Sequence, residues 1–222
     1  MLHTLFPNVE GTELWVAIRQ TLYMTAISVV LTFILGTLLG LLLFLTAKGG
    51  LFQNTILYKA VSAIVNIFRS IPFIILIILL IPITMFLIGS MLGATAALPA
   101  LIVGSAPFYA RLVEMALREV DKGVIEAAEA MGANKWQIIW KVLLPEALPA
   151  LISGITVTAI ALVGFTAMAG VIGAGGLGDL AFMHGFERNQ ADVTIVSTVI
   201  ILIIVFMIQL IGDFAVRKID KR

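Results

Sequence analysis

Four long stretches of this chain carry no charged residue, and they constrain its fold more than any other feature. The longest is residues 70–110, which are 41 consecutive residues without Asp, Glu, Lys or Arg. The others are residues 20–47, 147–178 and 193–212. About 20 apolar residues in a helix cross a bilayer, and backbone polar groups there must be satisfied internally. The stretches therefore predict an all-α membrane protein.

The composition agrees with lipid as the main solvent. Charged residues make up 12% of the chain, hydrophobic residues 61%, and the mean hydropathy is +1.12. A soluble domain carries about 25% charged residues, so this chain cannot build a surface that faces only water. The net charge of +1 provides no basic field for nucleic acid, and no nucleic-acid partner is expected.

The stretch 70–110 is too long for one helix. Pro82, Gly89 and Gly93 interrupt it, which favours two helices joined by a short turn. The sequence thus predicts five transmembrane helices within a single domain over residues 1–222, with one long polar loop over residues 113–146. The predicted spans are 20–47, 60–82, 91–112, 147–172 and 193–213.

Lysine and arginine fix the predicted orientation, because cytoplasmic loops are enriched in both. Eleven of these residues fall in the segments after the first and third spans and in the C-terminal tail, whereas only Arg19 and Arg188 fall in the alternate segments. The N-terminus is therefore predicted outside and the C-terminus in the cytoplasm. Arg69 is assigned to neither side. It either extends to the interface near a helix end or is an intramembrane charge that faces a polar path.

The polar loop begins with signals for a short helix. Glu114 and Arg118 are spaced to pair one turn apart and to prolong the third span. Asp121 can cap a helix that starts near Val124, and Gly132 suits the left-handed position that ends it. The predicted apolar face of this helix comprises Ile125, Ala128 and Met131.

A second short helix follows in the same loop. Asn134 and Gln137 have the spacing of a capping box, and Pro145 is expected to close the helix. Its predicted apolar stripe comprises Trp136, Ile139, Trp140 and Leu143. Two interpretations stay open: the two helices pack on the bilayer or on their own bundle, or they dock a cytoplasmic partner.

The loop resembles a known motif. Glu126-Ala127-Ala128, Gly132 and Val142-Leu143-Leu144-Pro145 resemble the EAA loop, EAA-x3-G-x9-I-x-LP, of binding-protein-dependent ABC importer permeases. Only the isoleucine differs, since Val142 takes its place. The resemblance implies a coupling helix seated in a cleft of an ATPase subunit. The residues it assigns to ATPase coupling are Glu126, Ala127, Ala128, Gly132, Leu144 and Pro145.

Further segments are similar to the methionine branch of these permeases: FRSIPFIILI with IPIT (68–84), residues 106–111, and Ala167-Met168-Ala169 followed by GVIGAGGLGDL. This similarity implies the type I ABC importer permease fold in a bacterial plasma membrane. It implies a homodimer with two copies of a cytoplasmic ATPase and an extracytoplasmic methionine-binding protein or lipoprotein. The implied substrate is L-methionine, with D-methionine as a further candidate.

Two alternatives remain for the function. Glycine betaine and phosphonate permeases share the EAA loop, so the substrate could be another small solute. A secondary transporter usually carries intramembrane acidic residues. This chain has no Asp or Glu between residues 14 and 113 or between 147 and 178, which weighs against that class.

Motifs for catalysis or cofactors do not account for the chain. It contains no G-x-x-x-x-G-K-[ST] sequence, so ATP and Mg²⁺ are expected on a partner ATPase and no enzyme activity is expected here. It has no cysteine, and its two histidines, His3 and His184, are far apart, so no metal or other cofactor is expected. Residues 173–178, GAGGLG, match G-x-G-x-x-G formally, but a membrane span precedes them instead of a strand.

Small residues suggest two further roles. Met168 lies beside a glycine cluster and is, with Gly173, Gly175 and Gly176, a candidate for the translocation path or its gate; alternatively, Met168 only fills the core. Gly36 and Gly40 form a small-xxx-small pair, which is typical of close helix packing within one chain or between two chains.

The charge distribution generates a test of topology. Reporter fusions after residues 50, 122 and 220 should give cytoplasmic signals, and fusions near residues 88 and 186 should give external ones. A cytoplasmic signal near residue 186 would contradict the five-span arrangement.

Overall fold

A computed structural model describes residues 7–220, and this part of the chain is a bundle of helices without a strand. His3, Lys221 and Arg222 lie outside the described residues. Two π-helical turns, Ile139–Leu143 and Leu180–Phe186, interrupt the α-helices, and Gly170–Ala174 contains a break at Ile172 and Gly173. The α-helices in chain order are α1 Gly11–Thr46, α2 Thr55–Ser70, α3 Phe73–Leu79, α4 Ile81–Ile88, α5 Ala94–Arg118, α6 Lys122–Ala130, α7 Lys135–Ile138, α8 Leu144–Ala169, α9 Leu177–Asp179 and α10 Ala191–Ile219.

Four helical segments are long and apolar enough to cross a membrane: α1, α5, α10 and the segment from Lys135 to Ala174. A fifth crossing results if α2 and α3, which meet at 107°, form one bent span. The sequence predicted one continuous helix over residues 60–82, and the bend differs from that expectation. Its cause is Pro72, because the proline ring disfavours helical geometry at the preceding Ile71, whose ψ is 123°.

Successive crossings alternate in direction when α2 and α3 are counted as one, and they define two ends of the bundle. At the end we call the basic end, α1 and α5 finish near α6, and the Lys135 ammonium donates a 2.6 Å hydrogen bond to the Leu51 carbonyl. At the other end, which we call the glycine-loop end, the Gly93 N–H donates to the Gly173 carbonyl at 2.9 Å. Asn8 contacts Asp192 at that same end. Residues 8 and 220 consequently lie at opposite ends of the bundle.

The most extensive helix contact joins α1 to α5. A Cβ atom built on Gly40 would lie 2.6 Å from the Ala110 carbonyl oxygen, and one built on Gly36 would lie 3.0 Å from the Ala106 carbonyl oxygen. Between the same two helices, the Thr32 hydroxyl forms a buried hydrogen bond with the Ser105 hydroxyl. The Gly36-x3-Gly40 pair therefore serves packing within the chain.

This contact generates a stability prediction. Gly40→Ala should lower the free energy of unfolding by about 1–3 kcal/mol, because the added methyl group meets backbone that cannot move independently. Thermal unfolding in detergent should show a lower Tm. Gly11→Ala is the matched control on the same helix, since a Cβ there meets no atom within 4 Å. Equal Tm values for the two variants would contradict the tight α1–α5 contact.

Candidate functional site

The first loop helix, α6, has the predicted end signals. The Asp121 carboxylate accepts a 2.8 Å hydrogen bond from the Gly123 N–H, so the helix starts at Lys122, two residues before the predicted start. Gly132 has φ +81°, which confirms the left-handed position after the helix. These local features fix where the helix begins and how the chain leaves it.

The two faces of α6 have different surroundings. Ala128 is buried against the bundle, whereas Glu126 and Ala127 are exposed on the other side. The predicted apolar face was wrong at Met131, which is 81% exposed because it lies beyond the last helical turn, where the chain turns at Gly132. Glu126 makes no hydrogen bond or ion pair within residues 7–220. The helix is thus held on the bundle by Ala128 and exposes the unpaired carboxylate of Glu126 on its other side.

The second loop helix has the predicted capping box. The Asn134 side chain accepts from the Gln137 N–H, and the Gln137 side chain accepts from the Asn134 N–H, both at 2.9 Å. The predicted four-residue stripe, however, divides between two faces. Ile139 and Leu143 are fully buried, while Trp136 and Trp140 are 65% and 64% exposed.

Pro145 does not close this helix, contrary to the prediction. The chain passes from α7 through the π-helical turn Ile139–Leu143 directly into α8. Within that turn the Leu144 N–H donates to the Ile139 carbonyl, five residues back. Such a widened turn tolerates a proline at the start of the next helix, where its missing N–H is least costly. The loop helix and the long apolar helix are therefore continuous.

A shared carboxylate ties the basic end together. Glu114, whose side chain is 5% exposed, accepts hydrogen bonds from Arg111 at 2.6 Å and from Arg118 at 2.7 Å, which confirms the predicted Glu114–Arg118 pair. The Tyr58 hydroxyl donates to the same carboxylate at 3.3 Å. Arg111 also donates to the Asn66 side chain at 3.0 Å. These contacts fasten α2 to α5, and the spacing of charges in the sequence revealed only the Arg118 part of them.

The glycine loop lies against the start of α1. Gly173, Gly175 and Gly176 have φ values of +94°, +77° and +89°, which glycine adopts without strain. Gln20 accepts a 2.8 Å hydrogen bond from the Gly176 N–H, and Thr21 accepts one of 2.9 Å from the Leu177 N–H. The loop is thus a fixed backbone turn. Sequence reasoning missed Gln20 and Thr21, although both are polar residues at the start of an otherwise apolar stretch.

An ionisable group lies beside this loop. Burial raises the pKa of the Asp179 carboxyl, and the nearby His184 acts in the opposite direction. His184 Nδ1 lies 3.1 Å from the Glu13 carboxylate. Across residues 7–220, no group of three His, Asp or Glu side chains is placed to hold a metal ion.

The structure shows what surrounds Arg69 and Met168, whose roles the sequence left open. Arg69 lines a cavity of about 540 Å³ between α2, α3, α5 and α8, with its guanidinium carbon 6.0 Å from the centre of the Phe108 ring. Met168 is 47% exposed, one turn before the helix breaks at Ile172 and Gly173. Arg69 is therefore exposed beside a cavity and next to the last residue of its helix, which agrees with both interpretations of it, and Met168 is exposed on the outside of this chain.

Apolar crossing helices, a cavity lined by polar and aromatic residues, and an anchored loop helix with a free carboxylate are features of one class of protein, the polytopic membrane permeases. The sequence pattern of the family described as binding-protein-dependent transport system inner membrane component matches residues 36–222. The chain belongs to this family.

Individual relatives agree with the family. The chain is 65% identical, over the full length of both proteins, to the methionine import system permease protein MetP of Bacillus subtilis (strain 168). It is 48% identical over 203 residues, which are 91% of this chain and 90% of the relative, to the probable D-methionine transport system permease protein MetI of Vibrio cholerae serotype O1. A solved chain of the MetNI methionine ABC transporter in an inward-facing conformation has a TM-score of 0.93 at 46% identity, covering 96% of this chain and 100% of that one.

Proposed function

We propose that this chain forms the translocation path of an ATP-driven importer for methionine. Two copies would surround the path, two ATPase subunits would bind the basic end, and an extracytoplasmic methionine-binding protein would deliver substrate at the glycine-loop end. ATP and Mg²⁺ would be bound by the ATPase subunits, and this chain would catalyse no reaction itself.

The observation that carries the proposal is the geometry of α6. Ala128 anchors the helix, Glu126 faces outward without a partner, and Gly132 ends the helix with φ +81°. A short helix held in this way can transmit a push from a docked subunit, because its base packs on the bundle. The continuous connection from α7 to α8 gives that push a direct route into the apolar bundle.

The relatives support methionine as substrate. Both are named for methionine or D-methionine transport, and the more similar one aligns over its whole length. The opposite placement of residues 8 and 220 supports an outside N-terminus and a cytoplasmic C-terminus, because the basic end carries the lysine and arginine that favour the cytoplasm.

The docking of the ATPase is tested by charge reversal. Glu126→Lys should reduce recovery of the co-expressed ATPase about tenfold or more and abolish methionine uptake, because a partner's donors would meet a cation instead of an acceptor. Co-purification and uptake are measured from the same membranes. Glu187→Lys reverses an exposed carboxylate at the opposite end and should leave ATPase recovery unchanged. Full recovery and uptake in Glu126→Lys would contradict the proposal.

The turn at Gly132 offers a second test of the same loop. Gly132→Val should weaken coupling, since a β-branched residue at positive φ costs about 1–2 kcal/mol or more. Gly132→Asn is the matched control, because asparagine tolerates the left-handed conformation, and it should keep most of the uptake. Uptake relative to the amount of inserted permease separates coupling from expression, and equal uptake in both variants would refute a role for the turn.

A third test concerns the dimer and the gate. Because the chain contains no cysteine, Met168→Cys introduces a single thiol that should crosslink to its mate if Met168 faces the dimer axis. The yield should change when the ATPase binds nucleotide. Leu162→Cys, at a fully buried position on the same helix, should not crosslink. Labelling of Met168→Cys by lipid-phase reagents alone, without crosslinking, would show that the residue faces lipid.

A further inference from the structure

The cavity beside Arg69 combines one cation, several polar groups and an aromatic wall. Its volume of about 540 Å³ falls within the range of small-molecule sites, which is roughly 300–1,000 Å³. Asn66, Arg69 and Ser70 line one side, and Phe73, Phe108 and Phe165 line the others. No Asp or Glu contributes to its lining, so the cavity carries a net positive charge.

Arg69 has no anionic partner among residues 7–220. The sequence holds no Asp or Glu between Glu13 and Glu114, and Glu114 is already bound to Arg111 and Arg118. Phe108, which lies beneath the Arg69 guanidinium, is about one helical turn from Arg111 on α5. Arg69 is exposed where it lines the cavity and has no carboxylate beside it, so an anionic ligand that enters the cavity can pair with its guanidinium.

The neighbouring polar groups are oriented by contacts with the bundle. Arg111 donates to the Asn66 side-chain oxygen at 3.0 Å, which leaves the Asn66 NH₂ group as a donor. The Ser70 hydroxyl donates to the Asn66 carbonyl at 2.8 Å, and the Thr158 hydroxyl donates to the Gly154 carbonyl at 2.8 Å. Both hydroxyl oxygens keep lone pairs with which they can accept. The cavity thus offers donors for a carboxylate beside acceptors for an ammonium group.

The aromatic wall suits an apolar side chain that contains sulfur. The rings of Phe73 and Phe165 stack with their centres 4.5 Å apart, and Phe108 holds the Arg69 guanidinium over its face. A thioether gains favourable contacts with aromatic rings, beyond the burial of its apolar surface. On α8 the lining residues Thr158, Ala161 and Phe165 are spaced by three and four residues, and Met168 continues the same face.

We propose that this cavity is a transient binding site in the permease itself, in which Arg69 and Asn66 bind the α-carboxylate of an amino-acid substrate and Phe73 and Phe165 contact its thioether side chain. The proposal rests on the proposed function, because it places the site on the path that methionine would follow. The arginine is thus a substrate-binding residue. The phosphate group of a lipid is the other anion that could bind Arg69.

Protection of a single thiol tests the site. In the assembled permease–ATPase complex in lipid vesicles, Ala161→Cys introduces the only cysteine of this chain, at a position that lines the cavity. Its modification by a water-soluble maleimide should slow about tenfold at saturating L-methionine. Methioninamide, which lacks the carboxylate, should protect far less. Ser90→Cys, on the exposed turn at the other end, should react at the same rate with and without methionine.

A second substitution assigns the protection to Arg69. Arg69→Gln in the Ala161→Cys background should raise the methionine concentration required for half-protection about tenfold or more, because a charge-assisted hydrogen bond is lost. Lys59→Gln removes a cation from the same helix outside the cavity and should leave protection unchanged. Arg69→Lys keeps the positive charge and should retain part of the protection. Partial protection in this variant would show that the loss in Arg69→Gln comes from the missing charge and not from a folding defect.

Several outcomes would overturn the site. The first is a maleimide reaction rate at Ala161→Cys that methionine does not change. The second is equal protection by methionine with Arg69 and with Arg69→Gln. The third is protection that depends on the anionic lipid content of the vesicles and not on methionine. Failure of both Ala161→Cys and Ser70→Cys to react in any nucleotide state would show a closed cavity and would also refute it. Methionine uptake by the parent complex is measured in parallel. Uptake without protection removes the site and leaves the proposed function intact, whereas absence of uptake removes the proposed function.

Discussion

The close contact between α1 and α5 is the interaction on which the rest of the structure depends. Apolar side chains gain little by leaving lipid for one another, so helices in a membrane associate through close packing and interhelical hydrogen bonds. Gly36 and Gly40 allow backbone to meet backbone, and the Thr32–Ser105 hydroxyl pair adds a hydrogen bond within the same contact. With α5 fixed, Tyr109 donates to the Leu151 carbonyl at 3.1 Å and joins α8 to the pair. Arg111 and Glu114 attach α2 to the same helix through Asn66 and Tyr58, and this attachment places Asn66 and Arg69 in the wall of the cavity.

Features that depend on a few neighbouring residues could be predicted from the sequence. The Asp121 cap, the Asn134–Gln137 capping box and the left-handed Gly132 are each decided by local hydrogen bonds or by backbone sterics, and the structure contains all three. The all-helical class follows equally directly, because charge-free stretches of this length must satisfy their own backbone groups. The family assignment was also accessible, because it depends on the identity and spacing of residues in the loop.

Features that depend on several segments at once could not be predicted in the same way. Trp136 and Ile139 occupy positions that helical periodicity groups together, yet the bundle covers only Ile139, while Trp136 lies at the first turn of α7 beside Phe52. Pro72 and Pro145 each follow an aliphatic residue, but the chain bends by 107° at Pro72, whereas Pro145 lies in the first turn of α8. The surroundings of Arg69 exist only once α2 folds against α5, so its role was undecided in the sequence.

The uninterrupted path from α7 into α8 has a mechanical consequence. Lys135 to Ala169 is 35 residues of helical chain, which corresponds to a lever of about 50 Å with one arm at the basic end and the other at the glycine loop. A tilt of about 5° around its centre would displace each tip by ~2 Å in opposite directions, because the arms are each about 25 Å long. Phe165 and Met168 lie on the far arm, so small rotations of the loop helix would open or narrow the space beside them. The π-helical turn Ile139–Leu143 is the point where this helical segment can bend. Its stiffness would determine how much of a rotation of the loop helix reaches Phe165 and Met168.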